Sequence, residues 1–162
     1  IAAICCGLAF GRWRLAWRAL VMLVVGFAAA IAVVTVIAFV SHEVGMFTRE
    51  QVTAPRPLTG FIWHPDRWSF VVALLAGAAG ALAATIGRAE AMVGVFISVT
   101  TVPAAGNLAL ALGARAPEEI TGSVLQLIVN VTGMVLAGTA VILAQRLVWS
   151  RLGRMGRSTA GH

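Results

Sequence analysis

The run Thr100-Thr101-Val102-Pro103-Ala104-Ala105-Gly106-Asn107 sets hydroxyls, a proline, a glycine and an amide inside an otherwise apolar stretch. Proline has no backbone N–H, and its ring clashes with the carbonyl four residues back. Gly106 and Asn107 follow about one turn later. The stretch is therefore expected to leave regular helix between residues 100 and 107. In hydrocarbon, freed backbone groups survive only if buried in protein or lining a wet cavity. Ser98, Thr100 and Thr101 would supply hydroxyls beside the break. One reading is a binding site for a small solute or ion. The other is an ordinary proline kink whose hydroxyls bond back to the helix.

A second polar pattern answers the first. Ser123, Gln126, Asn130, Gly133 and Ala137 recur at helical spacing on one face. Amides are expensive in hydrocarbon unless partnered, so Gln126 and Asn130 should face the protein interior, against the proline-bearing segment. They would coordinate a solute or ion, or only join helices, which is worth about 1 kcal/mol per pair. The candidate substrate-binding residues are thus Thr100, Thr101, Pro103, Gly106, Asn107, Gln126 and Asn130.

Other reactive types lack the arrangement that chemistry needs. His42, Glu43, His64 and Asp66 are zinc-ligand types, but their spacing matches no zinc signature and reads as solvated loop. Cys5 and Cys6 are adjacent, not spaced as a redox or metal pair, and read as packed thiols. Glu90, Glu118 and Glu119 all fall at segment ends, so no carboxylate is expected deep in a crossing. No phosphate-binding loop and no nucleophile elbow is present. Enzyme activity, catalytic residues, a metal and a cofactor are therefore not expected.

The elements that must position these residues follow from composition. Of 162 residues, 60% are hydrophobic and 11% charged. Apolar runs of this length could not all be buried in one soluble core of this size. The expected fold is an all-α polytopic transmembrane domain in contact with lipid. Crossings are expected at about residues 15–40, 68–87, 91–113 and 120–149, preceded by a truncated one at 1–10. A connector over 41–67 carries Pro55, Pro57 and Pro65, with Thr48 and Gln51 spaced as a capping box. It reads as a lid over a vestibule or as a plain connector. A polar tail covers 150–162. Ile1 opens in mid-run without a signal peptide, so further upstream crossings are expected.

The net charge is +6, and all twelve basic residues are arginine. No basic run interleaved with aromatics suggests nucleic acid; the arginines read as topogenic. With residues 12–18 on the cytoplasmic side, eight arginines fall inside and four outside, as the positive-inside rule requires. Trp13, Trp17 and Trp149 then mark the inner interface, and Trp63 and Trp68 the outer. Small residues at Gly77, Gly80 and Ala84, and again at Gly133 and Ala137, exceed the need of one helix contact and suggest a homo-oligomer.

The chain also repeats itself. Apolar residues, Ala9-Phe10-Gly11-Arg12 and a long apolar run are matched later by Ala111-Leu112-Gly113-Ala114-Arg115 and another long run. The two units would insert with opposite orientation, the usual build of transporters.

Several stretches carry a family resemblance. These are Gly7-Leu8-Ala9-Phe10-Gly11 with the following arginines, residues 75–83, Met92-Val93-Gly94-Val95, Val102-Pro103, residues 108–113, Asn130 and Leu136-Ala137-Gly138. With them the chain resembles the uncharacterised bacterial membrane family called domain of unknown function 389. The resemblance implies a six-crossing, inverted 3+3 arrangement in a bacterial inner membrane, and no established activity. The family's double proline stands here as Pro103-Ala104. The family stretch that looks like the inverted counterpart of Val102-Pro103 would precede Ile1. The leading functional reading is passage or binding of a small solute or ion at a proline-broken helix near mid-membrane. The alternative is a membrane scaffold or signalling protein with no solute path.

The arginine split generates a test of topology. With cysteine introduced at Thr53 or Ser158, an impermeant thiol reagent added outside should label Thr53→Cys and spare Ser158→Cys; the opposite pattern would reverse the orientation.

Overall fold

The computed structural model describes residues 1–54, 66–86 and 89–159, with side chains for 1–54, 66–85 and 101–151. Six helices account for them: α1 (Ala2–Ala9), α2 (Trp13–Glu43), α3 (Arg49–Thr53), α4 (Arg67–Ile86), α5 (Ala89–Gly113) and α6 (Pro117–Thr159). Among the described residues, Trp13–Glu43, Arg67–Thr85 and Pro117–Arg151 are long and apolar enough to cross a membrane. The chain is an all-α helical membrane domain.

Helix boundaries follow local chemistry. α1 ends in a Schellman motif: Gly11 takes φ 68°, its N–H donates to the Leu8 carbonyl, and the Arg12 N–H donates to the Gly7 carbonyl. α2 ends the same way at Gly45, φ 78°, with Gly45 and Met46 donating to His42 and Ser41. α5 closes with an arginine in the left-handed position, Arg115 at φ 52°, with Arg115 and Ala116 donating to Leu112 and Ala111. The turns after α1 and α5 thus share one geometry at the two junctions that the sequence repeat matches. Thr48 and Gln51 form the expected capping box on α3. Asp66 caps α4 by accepting from the Ser69 N–H at 2.6 Å and the Ser69 hydroxyl at 2.8 Å.

The expected crossings at 15–40, 68–87 and 91–113 overlie α2, α4 and α5. The last one differs at its end. α6 runs on through the expected tail to Thr159, 43 residues in all, or about 64 Å. No proline follows Trp149, the helix runs on through Gly153 and Gly156, and Arg151, Arg154 and Arg157 favour a helix C-terminus.

Packing is closest where small residues meet. A Cβ on Gly77 of α4 would lie 2.6 Å from the Met134 Cα of α6. A Cβ on Gly133 would lie 2.8 Å from that of Ala73, and one on Gly138 the same distance from the Cys5 Sγ. The small faces that suggested an oligomer are therefore used at least in part within the chain, joining α4, α6 and α1. On the other side, Gly113 of α5 abuts Ala38 of α2. α1 thus packs on α6, and α5 on α2. The most apolar part of α2 has no buried residue, so its surface is left to lipid. Trp13, Trp17 and Trp68 are exposed near helix starts, Trp149 is exposed on α6 well short of its end, and Trp63 lies outside the described residues.

Two outcomes are expected. Gly77→Ala should push α4 from α6 and lower stability by about 1–3 kcal/mol. Gly106→Ala, whose Cβ would meet nothing within 4 Å, should be neutral or stabilising, gaining up to about 1 kcal/mol of helix propensity. Chemical unfolding of both variants in one detergent checks the contrast. Separately, the Ser69 hydrogen bonds hold the Asp66 carboxyl below its ordinary pKa. That contribution is fully present above the unfolded value of about 4 and lost as pH falls through the lower folded value. The difference in thermal midpoint between wild type and Asp66→Ala should therefore shrink below about pH 4.

Candidate functional site

α5 and α6 form an antiparallel hairpin, and their facing sides carry the buried polar residues. Thr101, Ser123 and Asn130 have no exposed surface, and Asn107, Glu119 and Gln126 are 4% exposed or less. On α6, Glu119, Ser123, Gln126 and Asn130 are spaced by four, three and four residues, which keeps them on one face. They make a polar column about 16 Å long from the start of α6 toward its middle.

Asn107 crosses from α5 to join it. Its Nδ2 donates to Glu119 Oε2 at 2.8 Å and to Ser123 Oγ at 3.0 Å. Further along, Gln126 Nε2 donates to Asn130 Oδ1 over a long 3.4 Å. Among the described residues four buried side-chain oxygens have no hydrogen-bond partner: Thr101 Oγ1 and Gln126 Oε1 lie at the column, Thr35 Oγ1 and Thr139 Oγ1 elsewhere. The hairpin register set by Asn107 against Glu119 and Ser123 brings Thr101 level with the Gln126 turn. Buried hydroxyl and amide oxygens without partners are rare, because each forfeits its hydration at a cost of about 1–3 kcal/mol.

The expected break at Pro103 does not occur. α5 stays helical from Ala89 to Gly113 with Pro103 inside it. Pro103 still withholds the N–H that the Val99 carbonyl would accept. Buried Ala104, Leu108 and Ala109 nevertheless pack the following turns, and their contacts hold the helix through the missing bond. The alternative of back-bonded hydroxyls also fails at Thr101, whose Oγ1 bonds to nothing described. Gly106 is part-buried with open space beside it, and Pro103 is part-buried. Thr100 lies in the helix, but its side chain and that of Ser98 lie outside the described residues, as do His64 and the proline-rich return at 55–65.

Glu119 is the residue that sequence reasoning passed over. It does lie at a segment end, but it is buried at 2% exposure and bonded to Asn107. The signal was its place four residues before Ser123, in phase with Gln126 and Asn130. Its neighbour Glu118 points the other way, into an ion pair with Arg49 of α3 at 2.6 Å. α3 also buries Val52 against Ala111, Ala114 and Ala116. The surface helix is thereby fastened on the α5–α6 turn, over the end of the column where Glu119 stands. At the other end, Gly133 and Met134 press on α4 and close the stripe. His42 packs edge-on to Phe47 at 5.7 Å, and Phe47 rests on the Val52–Ala111 cluster.

The column is built of oxygen acceptors and amides, with one carboxylate. Such a set suits a hard cation or a solute rich in N–H or O–H donors. Two grooves open elsewhere on the molecule, and neither is lined by column residues. No curated protein and no solved structure matches the chain. The family model described as "Domain of unknown function (DUF389)" matches residues 1–136, a span that holds every residue of the column, and the chain belongs to that family.

Proposed function

We propose that this domain binds, and passes across the membrane, a small cation or donor-bearing solute at the α5–α6 column. Thr101, Asn107, Gln126 and Asn130 provide the contacts, Glu119 adds a carboxylate, and Thr100, Pro103 and Gly106 shape the adjoining turn of α5. The observation that carries this reading is the pair of buried, unpartnered oxygens at one level, Thr101 Oγ1 and Gln126 Oε1. Natural interiors seldom leave such groups unmet, and in hydrocarbon no lipid can meet them. The proposed setting is a bacterial inner membrane, with the arginine-rich end of α6 in the cytoplasm and α3 outside. The reciprocal packing of α1 on α6 and α5 on α2 supports an inverted repeat of two hairpins. A homo-oligomer would now rest on the open face of α2 rather than on the glycine faces.

A second reading, a scaffold or signalling domain without a path, is favoured by a different observation. Asn107, Glu119 and Ser123 already satisfy one another, and the column adjoins neither groove.

Two variants separate the readings, with fluxes of Na⁺, K⁺ and H⁺ into liposomes holding the purified chain as the readout. Thr101→Val keeps the shape and removes an orphaned hydroxyl. At a working site it should cut flux at least about tenfold while stability holds or rises by about 1 kcal/mol. Asn130→Leu should abolish flux with folding nearly intact. In a scaffold, Thr101→Val changes stability alone, Asn130→Leu lowers the thermal midpoint first, and the wild type conducts none of the three ions.

A further inference from the structure

The larger of the two grooves lies between α1, α4 and α6, away from the column, and has a volume of about 630 Å³. Its walls are apolar over most of its length. Ile1, Cys5, Ala76, Gly80, Ala81 and Ile142 line them. Along α6 the lining runs from Met134 to Trp149, about 22 Å, close to one leaflet of hydrocarbon plus its headgroup layer.

One end of this groove is different. Thr85, Gln145, Arg146 and Trp149 gather there. Arg146 donates through Nη1 to the Ala9 carbonyl at the end of α1, and its guanidinium lies 4.6 Å from the centre of the Phe10 ring. Gln145 donates to the Thr85 hydroxyl at 3.1 Å. The guanidinium is thus held at the mouth by a carbonyl and an aromatic face, neither of which neutralises it. An arginine has five donors, so most remain for a ligand. Arg12, Arg14, Arg18 and Arg151 lie at the same end of the bundle, and among the described side chains no acid does. Trp149 stands where an interfacial ring meets headgroups.

We propose that this groove seats one acyl chain of an anionic glycerophospholipid, with the lipid phosphate on Arg146. Apolar walls alone would take any acyl chain; the arginine at the mouth selects the negative headgroup, as basic pockets between membrane helices do. The small side chains of α4 leave the room that the chain occupies.

The test is native mass spectrometry of the full chain in mild detergent, titrated with phosphatidylglycerol or phosphatidylcholine of identical acyl chains. The wild type should retain phosphatidylglycerol roughly fivefold better, the factor expected for one arginine at a membrane surface. Arg146→Gln should abolish that preference. Arg151→Gln removes the same charge from the same end without lining the groove, and should keep the preference within about twofold. Ala84→Trp fills the groove while keeping Arg146, and should lose both lipids. Should Arg146→Gln fail to fold for want of its bond to Ala9, the Ala84→Trp and Arg151→Gln results decide. Equal retention of the two lipids by the wild type would overturn the proposal. So would equal loss in the two arginine variants, which reports surface charge alone, or unchanged retention in Ala84→Trp.

Discussion

Hydrocarbon offers no hydrogen bonds, and that constraint sets the rotation of the helices. α6 carries a carboxylate, two amides and a hydroxyl in phase, so only one orientation hides them all. α5 must then turn Asn107 toward Glu119 and Ser123, which fixes it against α6. α2 has no comparable stripe, and its most apolar stretch is left in contact with lipid. Polarity here acts as the orienting force that apolar surface supplies in water, since one apolar face is no better than another among lipid tails.

Division of labour along α6 follows from the same rule. Its first turns bond to α5 through side chains. Beyond Asn130 the interior face becomes Gly133, Met134 and Gly138, which meet α4 and α1 by close backbone approach. Van der Waals contact replaces hydrogen bonding at the point where the polar stripe ends. Gly77 and Met134 stand at that junction, where parting α4 from α6 would give up contacts of this kind. Such a movement exchanges dispersion contacts rather than buried hydrogen bonds. With lipid able to cover each surface, its cost is set by lost packing alone.

Much of the fold was legible because helices in a membrane announce themselves by length and hydropathy. α2, α4 and α5 fall close to where the sequence puts them, and Thr48 with Gln51 marks the cap of α3. The buried face of α6 was legible from the spacing of Ser123, Gln126 and Asn130. Glu119 was not, because an acid in the first turn of a helix is stabilised there whether exposed or buried. Only α5, with Asn107 facing that turn, decides the matter. The use of the small residues was hidden for a similar reason. Gly77 and Gly133 permit close approach to some helix, but a single sequence does not say whose.

Pro103 is the most instructive difference. Local chemistry argues for a break, since the Val99 carbonyl loses its donor and Gly106 lowers the cost of a turn. The helix continues because Ala104, Leu108 and Ala109 are buried just beyond, and unwinding would give up their packing. What remains is a weak point rather than a gap. The missing backbone bond, the orphaned Thr101 hydroxyl and the open space beside Gly106 all fall within two turns of α5. Of the four buried side-chain oxygens without a hydrogen-bond partner among the described residues, Thr101 Oγ1 and Gln126 Oε1 fall on this hairpin, and Thr35 Oγ1 and Thr139 Oγ1 lie elsewhere. A rearrangement at Pro103 breaks fewer backbone hydrogen bonds than one elsewhere in α5, and a group able to donate to the Thr101 and Gln126 oxygens stabilises whichever form presents them to it.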